Sequence, residues 1–503
     1  MNLLPLQGKR VLLGVTGSVA AYKAAAAASR LTQLGAQVTT VLTAAATRFV
    51  SPLTFQSVTG QPAYTDADLW GQRGHVLHVG LGQQADLVII APASANTLAK
   101  LAHGQADNLL TLTALSTQAP LLIAPAMDGG MFAHPATQAN IARLTERGAV
   151  FLGPEEGRLA SGLVGPGRMV EPDALVGMAR YLLTRNGPLQ GRRVLVTAGG
   201  TQEPIDPVRV VANRASGKQG FALAQAALDL GGEVVLVSGP TSLATPAGAQ
   251  RVDVRTAAEM KDAVFQHLPE TEVLLMAAAV ADYRPASPAQ HKIKKGKHEW
   301  RLPLTRTTDI LAAVASQREA WPHLQLVVGF AAESRDLLAN AQAKLSAKRL
   351  DLIVANDITA ADAGFAVDTN RVTLLYADGL VEPLPLMRKD EVAQAVMMRV
   401  LVLLEGGVLG HLCTPQAWEQ AKAQGVYRPL SLEREGFIHL SRLDQIPAVR
   451  AAIFARRDDL LLLKVRFAAV AEHVKWEAVE GDVYPHLYAP LPLEAVEAAT
   501  PLP

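Results

Sequence analysis

Short apolar runs and longer stretches of helical periodicity alternate along most of this chain. VLLGV (11–15) reads as a buried strand, 19–34 as an alanine-rich helix stopped at Gly35, AQVTTVLT (36–43) as a second strand, DLVIIAPAS (86–94) as a third and PLLIAPAM (120–127) as a fourth. NGPLQG (186–191) is a polar, turn-forming break, after which a second series begins: RRVLVTA, GGEVVLVSG, EVLLMAAAV, LQLVVGFAAE and LDLIVAND, closing in a helix over 390–404. Strand and helix in alternation predict an open, mainly parallel sheet with helices on both faces, once per series. Residues 405–407 (Glu-Gly-Gly) form the next joint. Beyond them the strands shorten and mix with helices, an α+β pattern holding four of the twelve histidines (His411, His439, His473, His486) and no glycine-rich phosphate turn.

Each series opens on the same arrangement, GKRVLLGVTG at 8–17 and GRRVLVTAGG at 191–200. A β-type run breaking into small residues where a helix begins is how a sheet edge holds a phosphate, so two nucleotide-handling units are expected. Neither is GxGxxG. In the first, Thr16, Gly17 and Ser18 form the turn, and the second strand ends in Thr43 and alanines rather than in an acidic ribose ligand, which fits a mononucleotide better than a dinucleotide.

At 503 residues the chain predicts about three domains. A net charge of +1 supplies no general field for nucleic acid or an anionic membrane, so phosphate binding must be local. Lone Cys413 excludes an intramolecular disulfide framework and fits a reducing compartment. The N-terminal apolar run resembles a signal peptide, but Gly14, Thr16, Gly17 and Ser18 interrupt it, and it reads as strand, turn and helix. No run reaches the roughly 18 apolar residues of a membrane span. A cytoplasmic protein is expected.

PASANTLAKLAHGQADNLL (92–110) and PAMDGGMFAHPATQAN (125–140) both follow strand ends, and with the first turn they resemble the flavin-dependent cysteine decarboxylase family over roughly the first 175 residues. That resemblance implies a flavodoxin-like fold, FMN held by Thr16, Gly17, Ser18, Thr43, Ser94 and Asn96, and active sites shared within a trimer. His78 matches the family's catalytic histidine, with His75 its rival. FMN would oxidise the substrate thiol to a thioaldehyde, an electron sink that lets the carboxylate leave, and the product would then be reduced again. Asp128 and Met131 fall in the substrate-carboxylate clamp PxMNxxMW, where Asp128 replaces asparagine; an ionised carboxylate would repel substrate, so Asp128 is expected to be protonated or turned away. Ser161, in RLASGLVGPGRM, replaces a cysteine proton donor and is a far poorer acid.

TAGGTQEPIDPVRVVANRASGKQGF, AAAVADYRP, HKIKK, GFAAES and LDLIVAND resemble the phosphopantothenate–cysteine ligases from about 191 to 404. The resemblance implies a Rossmann-like open α/β ligase domain that uses CTP and Mg2+ to convert 4′-phosphopantothenate into an acyl-cytidylate, from which cysteine displaces CMP. Asn213 would hold the intermediate and Lys292 serve its formation. Ser216, Gly217 and Lys218 would make the phosphate turn, and Ala277, Ala278, Asp282, Asp309, Ile310, Phe330, Lys344 and Lys348 would contact the nucleotide. No metal ligands are assigned. The NPDI element reads Thr307-Thr308-Asp309-Ile310 here.

In this order the motifs imply domains at 1–186 (decarboxylase), 187–405 (ligase) and 406–503, and a homo-oligomer of trimeric flavin units and dimeric ligase units, up to a dodecamer. An alternative keeps the ligase alone active, the flavin half being an inactive scaffold or regulatory flavin-binding module. GHLCTPQAW, GFIHLSRLDQI and YPHLY resemble a small uncharacterised bacterial domain likened to NAD-dependent ADP-ribosyltransferases, in which His411, His439, Ser441 and His486 would contact ligand. An accessory module whose histidines satisfy core hydrogen bonds is the other reading, and metal binding is disfavoured by their spacing.

Overall fold

The structure is a computed structural model describing residues 4–70, 76–295, 299–333, 335–357, 367–479 and 481–502. It resolves into two compact units, one within 3–185 and one within 186–503.

In the first unit six parallel strands lie in the order Ala63–Tyr64, Gln37–Leu42, Arg10–Val15, Leu87–Ala93, Leu121–Pro125, Val150–Phe151. All four strands read from the sequence are present. Leu87–Ala93 is buried along its whole length, as expected of a central strand covered on both faces. Helix Ala21–Gln33 lays Ala24, Ala27, Ala28 and Leu31 against the sheet, and its alanines let the backbone come close. Each fully buried leucine or isoleucine here contributes roughly 1.5–3 kcal/mol. From Arg10–Val15 the chain moves first to one side and later to the other, so a crevice opens beyond the carboxyl ends of Arg10–Val15 and Leu87–Ala93, where open sheets bind ligands.

The second unit is built on an eight-stranded mixed sheet ordered Gln250–Asp253, Glu233–Ser238, Arg193–Ala198, Val273–Met276, Leu326–Glu333, Leu352–Asp357, Val372–Tyr376, Val381–Pro383. The first six are parallel; the last two are antiparallel. The five strands expected from apolar runs form its centre. The edge strand Gln250–Asp253 and the short strand Val381–Pro383 carry no such run, and both went unread, as did Val372–Tyr376 (VTLLY), which does. Its switch point lies between Arg193–Ala198 and Val273–Met276, facing the start of helix Lys218–Asp229.

Helix Lys389–Leu404 is buried on nearly every side. It ends in Gly406 and Gly407, both at positive φ, and runs straight into strand Val408–Cys413. The joint at 405–407 is therefore a turn rather than a linker. The C-terminal part is antiparallel, with three-stranded sheets Val408–Cys413, Leu461–Arg466, Val496–Pro501 and Ile438–His439, Asp482–Leu487, Val474–Val479 plus short helices. No helix among the described residues is long and apolar enough to cross a membrane.

Candidate functional site

In the first unit the crevice is made by turns that tie to one another. Thr16 Oγ1 donates to the Pro92 carbonyl at 2.7 Å and accepts from the Ser94 amide at 3.0 Å, joining the two strand ends. The Thr43 amide donates to the Val15 carbonyl at 3.0 Å. A Cβ on Gly17 would sit 2.5 Å from that of Ala45, so only glycine lets these turns meet. Ser18 accepts from the Ala20 amide, Ser94 caps helix Ala95–His103, and Asn96 is exposed in its first turn. Helix Ala21–Gln33 starts at Ala20 with no side-chain cap. Two helix N-termini and five short polar side chains thus surround one crevice, a set that fits the phosphate of a mononucleotide.

His78 opens helix Leu77–Gln84, where its carbonyl accepts from the Ser116 hydroxyl at 3.0 Å. Its ring Nδ1 is buried and has no partner among the described residues. The ring is thus not spent on capping its helix. His75 lies outside the described residues.

Asp128 and Ser161, 33 positions apart, are in contact: the Ser161 hydroxyl donates to Asp128 Oδ2 at 2.6 Å, and the Gly130 amide donates to Oδ1 at 3.1 Å. These two donors, Ser161 first, hold the Asp128 carboxyl below its ordinary range. Of the two expectations for Asp128, the geometry fits a carboxyl turned onto its own helix and Ser161. Ser161 stands at the tip of the hairpin Glu155–Arg158 and Val164–Arg168, which is tied down by Met127 N–H to the Gly167 carbonyl at 3.0 Å. Met131 is 52% exposed, free to meet a partner or substrate.

The second unit holds a cavity of about 850 Å3 lined by Asn213, Ser216, Gly217, Lys218, Ala277, Ala278, Asp282, Asp309, Ile310, Phe330, Lys344 and Lys348, so twelve of the thirteen residues expected there share one space. Gly217 caps helix Lys218–Asp229 at φ +80°, in the left-handed region that other side chains resist. Asn213 Nδ2 donates to the Val280 carbonyl at 3.1 Å, tying this side chain to the 277–281 turn. That turn is fixed by Ala278 N–H to Thr197 Oγ1 (3.1 Å) and Ala281 N–H to Thr201 Oγ1 (2.9 Å). Lys348 pairs with Asp309 at 2.9 Å, and Lys344 with Glu333 at 2.5 Å. Asp309 also caps helix Ile310–Gln317; burial alone would raise its pKa, but the Ala312 amide and Lys348 keep it lowered.

The thirteenth, Lys292, is exposed and does not line the cavity. Its loop is anchored by a residue the sequence reading overlooked: buried Asp206 accepts from the amides of Val208 (2.8 Å), Arg209 (2.8 Å) and Ile293 (3.1 Å). Burial opposes ionisation of Asp206, and those amides with Arg209 outweigh it. Asn356, Asn370 and Lys389 also line the cavity unforeseen; Asn356 falls within the quoted run LDLIVAND without having been singled out, and Asn370, in strand Thr369–Asn370, and Lys389, the first residue of its helix, have no motif around them. Among the described residues no cluster of three or more histidine, cysteine or carboxylate side chains could hold a metal.

In the C-terminal part, strand pairing sets His439 opposite His486, with ring centroids 5.2 Å apart. His439 pairs with Glu435 at 3.0 Å and His486 with Glu477 at 2.7 Å. His411 is buried between the His439 carbonyl (2.7 Å) and the Tyr427 hydroxyl (2.8 Å), and burial lowers its pKa to about 4. Ser441 is buried and exchanges backbone bonds with Gly410. Cys413 is buried, its thiol pushed up to about 11.

Three family models match: Flavoprotein over residues 3–183, the DNA/pantothenate metabolism flavoprotein C-terminal domain over 189–403, and a protein of unknown function (DUF952) over 412–499. The coenzyme A biosynthesis bifunctional protein CoaBC of Bacillus subtilis (strain 168) is 44% identical over 401 residues, covering 79% of this chain and 98% of that protein. Its counterpart in Mycobacterium tuberculosis (strain H37Rv) is 44% identical over 410 residues, covering 79% and 97%. Among solved structures, the FMN binding protein AtHal3 is 37% identical over 35% of this chain and 96% of that one, with a TM-score of 0.32.

Proposed function

The chain belongs to the bifunctional coenzyme A biosynthesis proteins, phosphopantothenate–cysteine ligase and phosphopantothenoylcysteine decarboxylase in one polypeptide, and from that premise we propose how its own residues divide the work. In the ligase half the carboxylate of 4′-phosphopantothenate attacks the α-phosphorus of CTP, pyrophosphate leaves, and the cysteine amine then displaces CMP to form the amide. Phe330 and the 277–278 turn hold the nucleotide, Lys344 and Lys348 its phosphates, Asn213 the acyl intermediate, and Ser216, Gly217 and Lys218 the substrate phosphate. Lys292, which stands outside the cavity, would reach the reacting groups by movement of the Asp206-anchored loop. Asp282 and Asp309 are the cavity carboxylates that would help to hold a Mg2+ ion, which would offset the charge of the triphosphate. The convergence of these residues on one cavity is the observation that carries this reading. Lys292→Gln should abolish 4′-phosphopantothenate-dependent pyrophosphate release while leaving decarboxylation of supplied 4′-phosphopantothenoylcysteine intact. Unchanged pyrophosphate release would refute the assignment.

In the flavin half, Thr16, Gly17, Ser18, Thr43, Ser94 and Asn96 would hold FMN, whose redox chemistry makes the substrate carboxylate a leaving group. His78, with its ring nitrogen unspent, moves the proton at the substrate thiol. Asp128 orients the hairpin through Ser161, and Met131 covers the substrate. His78→Asn should remove CO2 release and spare pyrophosphate release. We further infer work in the cytoplasm and assembly of the flavin units into trimers and the ligase units into dimers. Val19, Tyr22, Phe49 and Leu53, exposed in or near the flavin turns, are apolar surface that trimer assembly would cover.

A further inference from the structure

In the ligase cavity, CTP and 4′-phosphopantothenate have side chains to meet them, and cysteine has none. Among the described residues five buried side-chain polar atoms lack a hydrogen-bond partner, and two of them, Asn356 Oδ1 and Asn370 Oδ1, belong to residues that line this cavity. The two stand together. Asn356 is in register with Val372 across the antiparallel pair Leu352–Asp357 and Val372–Tyr376, Asn370 precedes Val372 by two positions, and Val372 lines the cavity as well. Diagonal neighbours on such a pair lie roughly 7–8 Å apart at Cα, so both side chains can reach one small ligand group. Which atom of Asn370 is left over follows from its neighbours. The Lys389 carbonyl can only accept, so Gln219 turns Nε2 toward it at 3.1 Å and Oε1 toward Asn370, whose Nδ2 donates at 3.3 Å. That chain of bonds leaves Oδ1 as the unpaired atom of a side chain only 5% exposed. A buried amide oxygen is seldom left without a donor, and two of them on one cavity call for a ligand group that donates twice.

Resting on the ligase reading above, we propose that Asn356 and Asn370 bind the α-amine of cysteine, each accepting one N–H through Oδ1, and so turn the nitrogen lone pair toward the acyl-cytidylate. A carboxylate in either place would favour the ammonium form, which has no lone pair to attack with; a neutral amide oxygen favours it far less. As the C–N bond forms and the acyl C–O bond to phosphorus breaks, CMP leaves with that electron pair and one amine proton passes to solvent. The other ligands fit the pair less well. 4′-Phosphopantothenate carries no amine, and the cytosine amino group belongs to a nucleotide that Phe330 and the 277–278 turn hold in that same reading.

The test follows the two half-reactions of the full-length protein separately: the burst of pyrophosphate from CTP and 4′-phosphopantothenate without cysteine, and amide formation with it. Asn370→Leu and Asn356→Leu should each raise KM for cysteine about 10-fold, the loss of one neutral hydrogen bond, while the cysteine-free burst persists. Asn370→Asp should instead lower kcat with a smaller change in KM, because a carboxylate there holds the ammonium form. N-Methylcysteine, which offers one N–H fewer, should be a poorer substrate than cysteine for wild type by a similar factor, and either leucine variant should lose most of that discrimination. A ratio between the two amines that the substitutions leave unchanged would overturn the inference. So would a rise confined to KM for CTP, which would give the asparagines to the cytosine amine, or loss of the burst in both leucine variants, which would tie them to the first half-reaction. Should wild type give no burst at all, the ligase reading fails and takes this inference with it; a normal burst with unaltered cysteine kinetics in both variants refutes the inference alone.

Discussion

Asp128 and Ser161 each depart from the decarboxylase pattern, and the 2.6 Å bond between them makes the two departures one. A hydroxyl donating to a carboxylate is a poor proton donor to anything else, so the pair's first effect is to fix the hairpin. If Ser161 nevertheless supplies the last proton, Ser161→Ala should leave CO2 release near its original rate while the reduced product falls on the order of a hundredfold, read by mass spectrometry of the product mixture. Equal loss of both would show a positioning role instead. Both departures were legible in the sequence; their contact was not, because no pattern links positions 33 apart across a hairpin and a strand end. His411 shows the same limit. Read as a possible ligand contact, it is a buried neutral ring fixed on two sides. Its folded pKa of about 4 lies below the ordinary 6.5, so between those values the unfolded chain binds the extra proton. Stability is therefore fully present above pH 6.5 and falls toward pH 4, by roughly 3 kcal/mol in the limit. Denaturant unfolding across that window should show a shallower pH slope in His411→Gln, and an identical slope would contradict the assignment.

At the scale of elements, the strand centres of both sheets were readable because parallel strands covered on both faces become continuous apolar runs. The hairpin Val372–Tyr376 and Val381–Pro383 was not: Thr373 breaks the apolar run of the first strand, buried though that strand is, and the second is three residues long and mostly exposed. The site followed the same division. Residues set at strand ends and helix starts were found by motif, whereas Asp206 was missed because its role is to satisfy backbone amides rather than to touch ligand. That role is testable. Asp206→Ala releases the Ile293 amide and with it the Lys292 loop, and a displacement of about 1 Å in a reacting group costs on the order of a hundredfold. Ligase kcat should fall by that order with decarboxylation unchanged, and Asp206→Asn, which keeps one acceptor oxygen, should fall less. Equal ligase rates in all three proteins would show that the loop holds itself.

At the scale of the whole molecule, the C-terminal part is bound into the ligase unit by charge as well as apolar contact. Arg399 lies 4.4 Å over the Trp476 ring and also pairs with Glu382, while Tyr376 and Phe467 meet edge to face at 6.2 Å. Arg442, 2% exposed, joins Asp444, Asp482 and the Val483 carbonyl, and its Nη1 reaches Met398 Sδ at 3.4 Å on the ligase helix. Helix Lys389–Leu404 therefore has the ligase sheet on one side and the C-terminal strands on another, and Lys389 at its head lines the cavity. If that packing is continuous, the ligase and C-terminal parts unfold together. Arg442→Ala removes one donor from Asp482 and from the Val483 carbonyl, both of which keep Gln445, and with Asp482 partly exposed it should destabilise by about 1–3 kcal/mol. Scanning calorimetry should then show the shared ligase and C-terminal transition moving down as one, with the flavin unit's transition unmoved. KM for 4′-phosphopantothenate should hold steady below the new midpoint. A C-terminal transition that splits away and leaves the ligase midpoint where it was would mean that the helix belongs to the ligase alone and that the extra module is only carried.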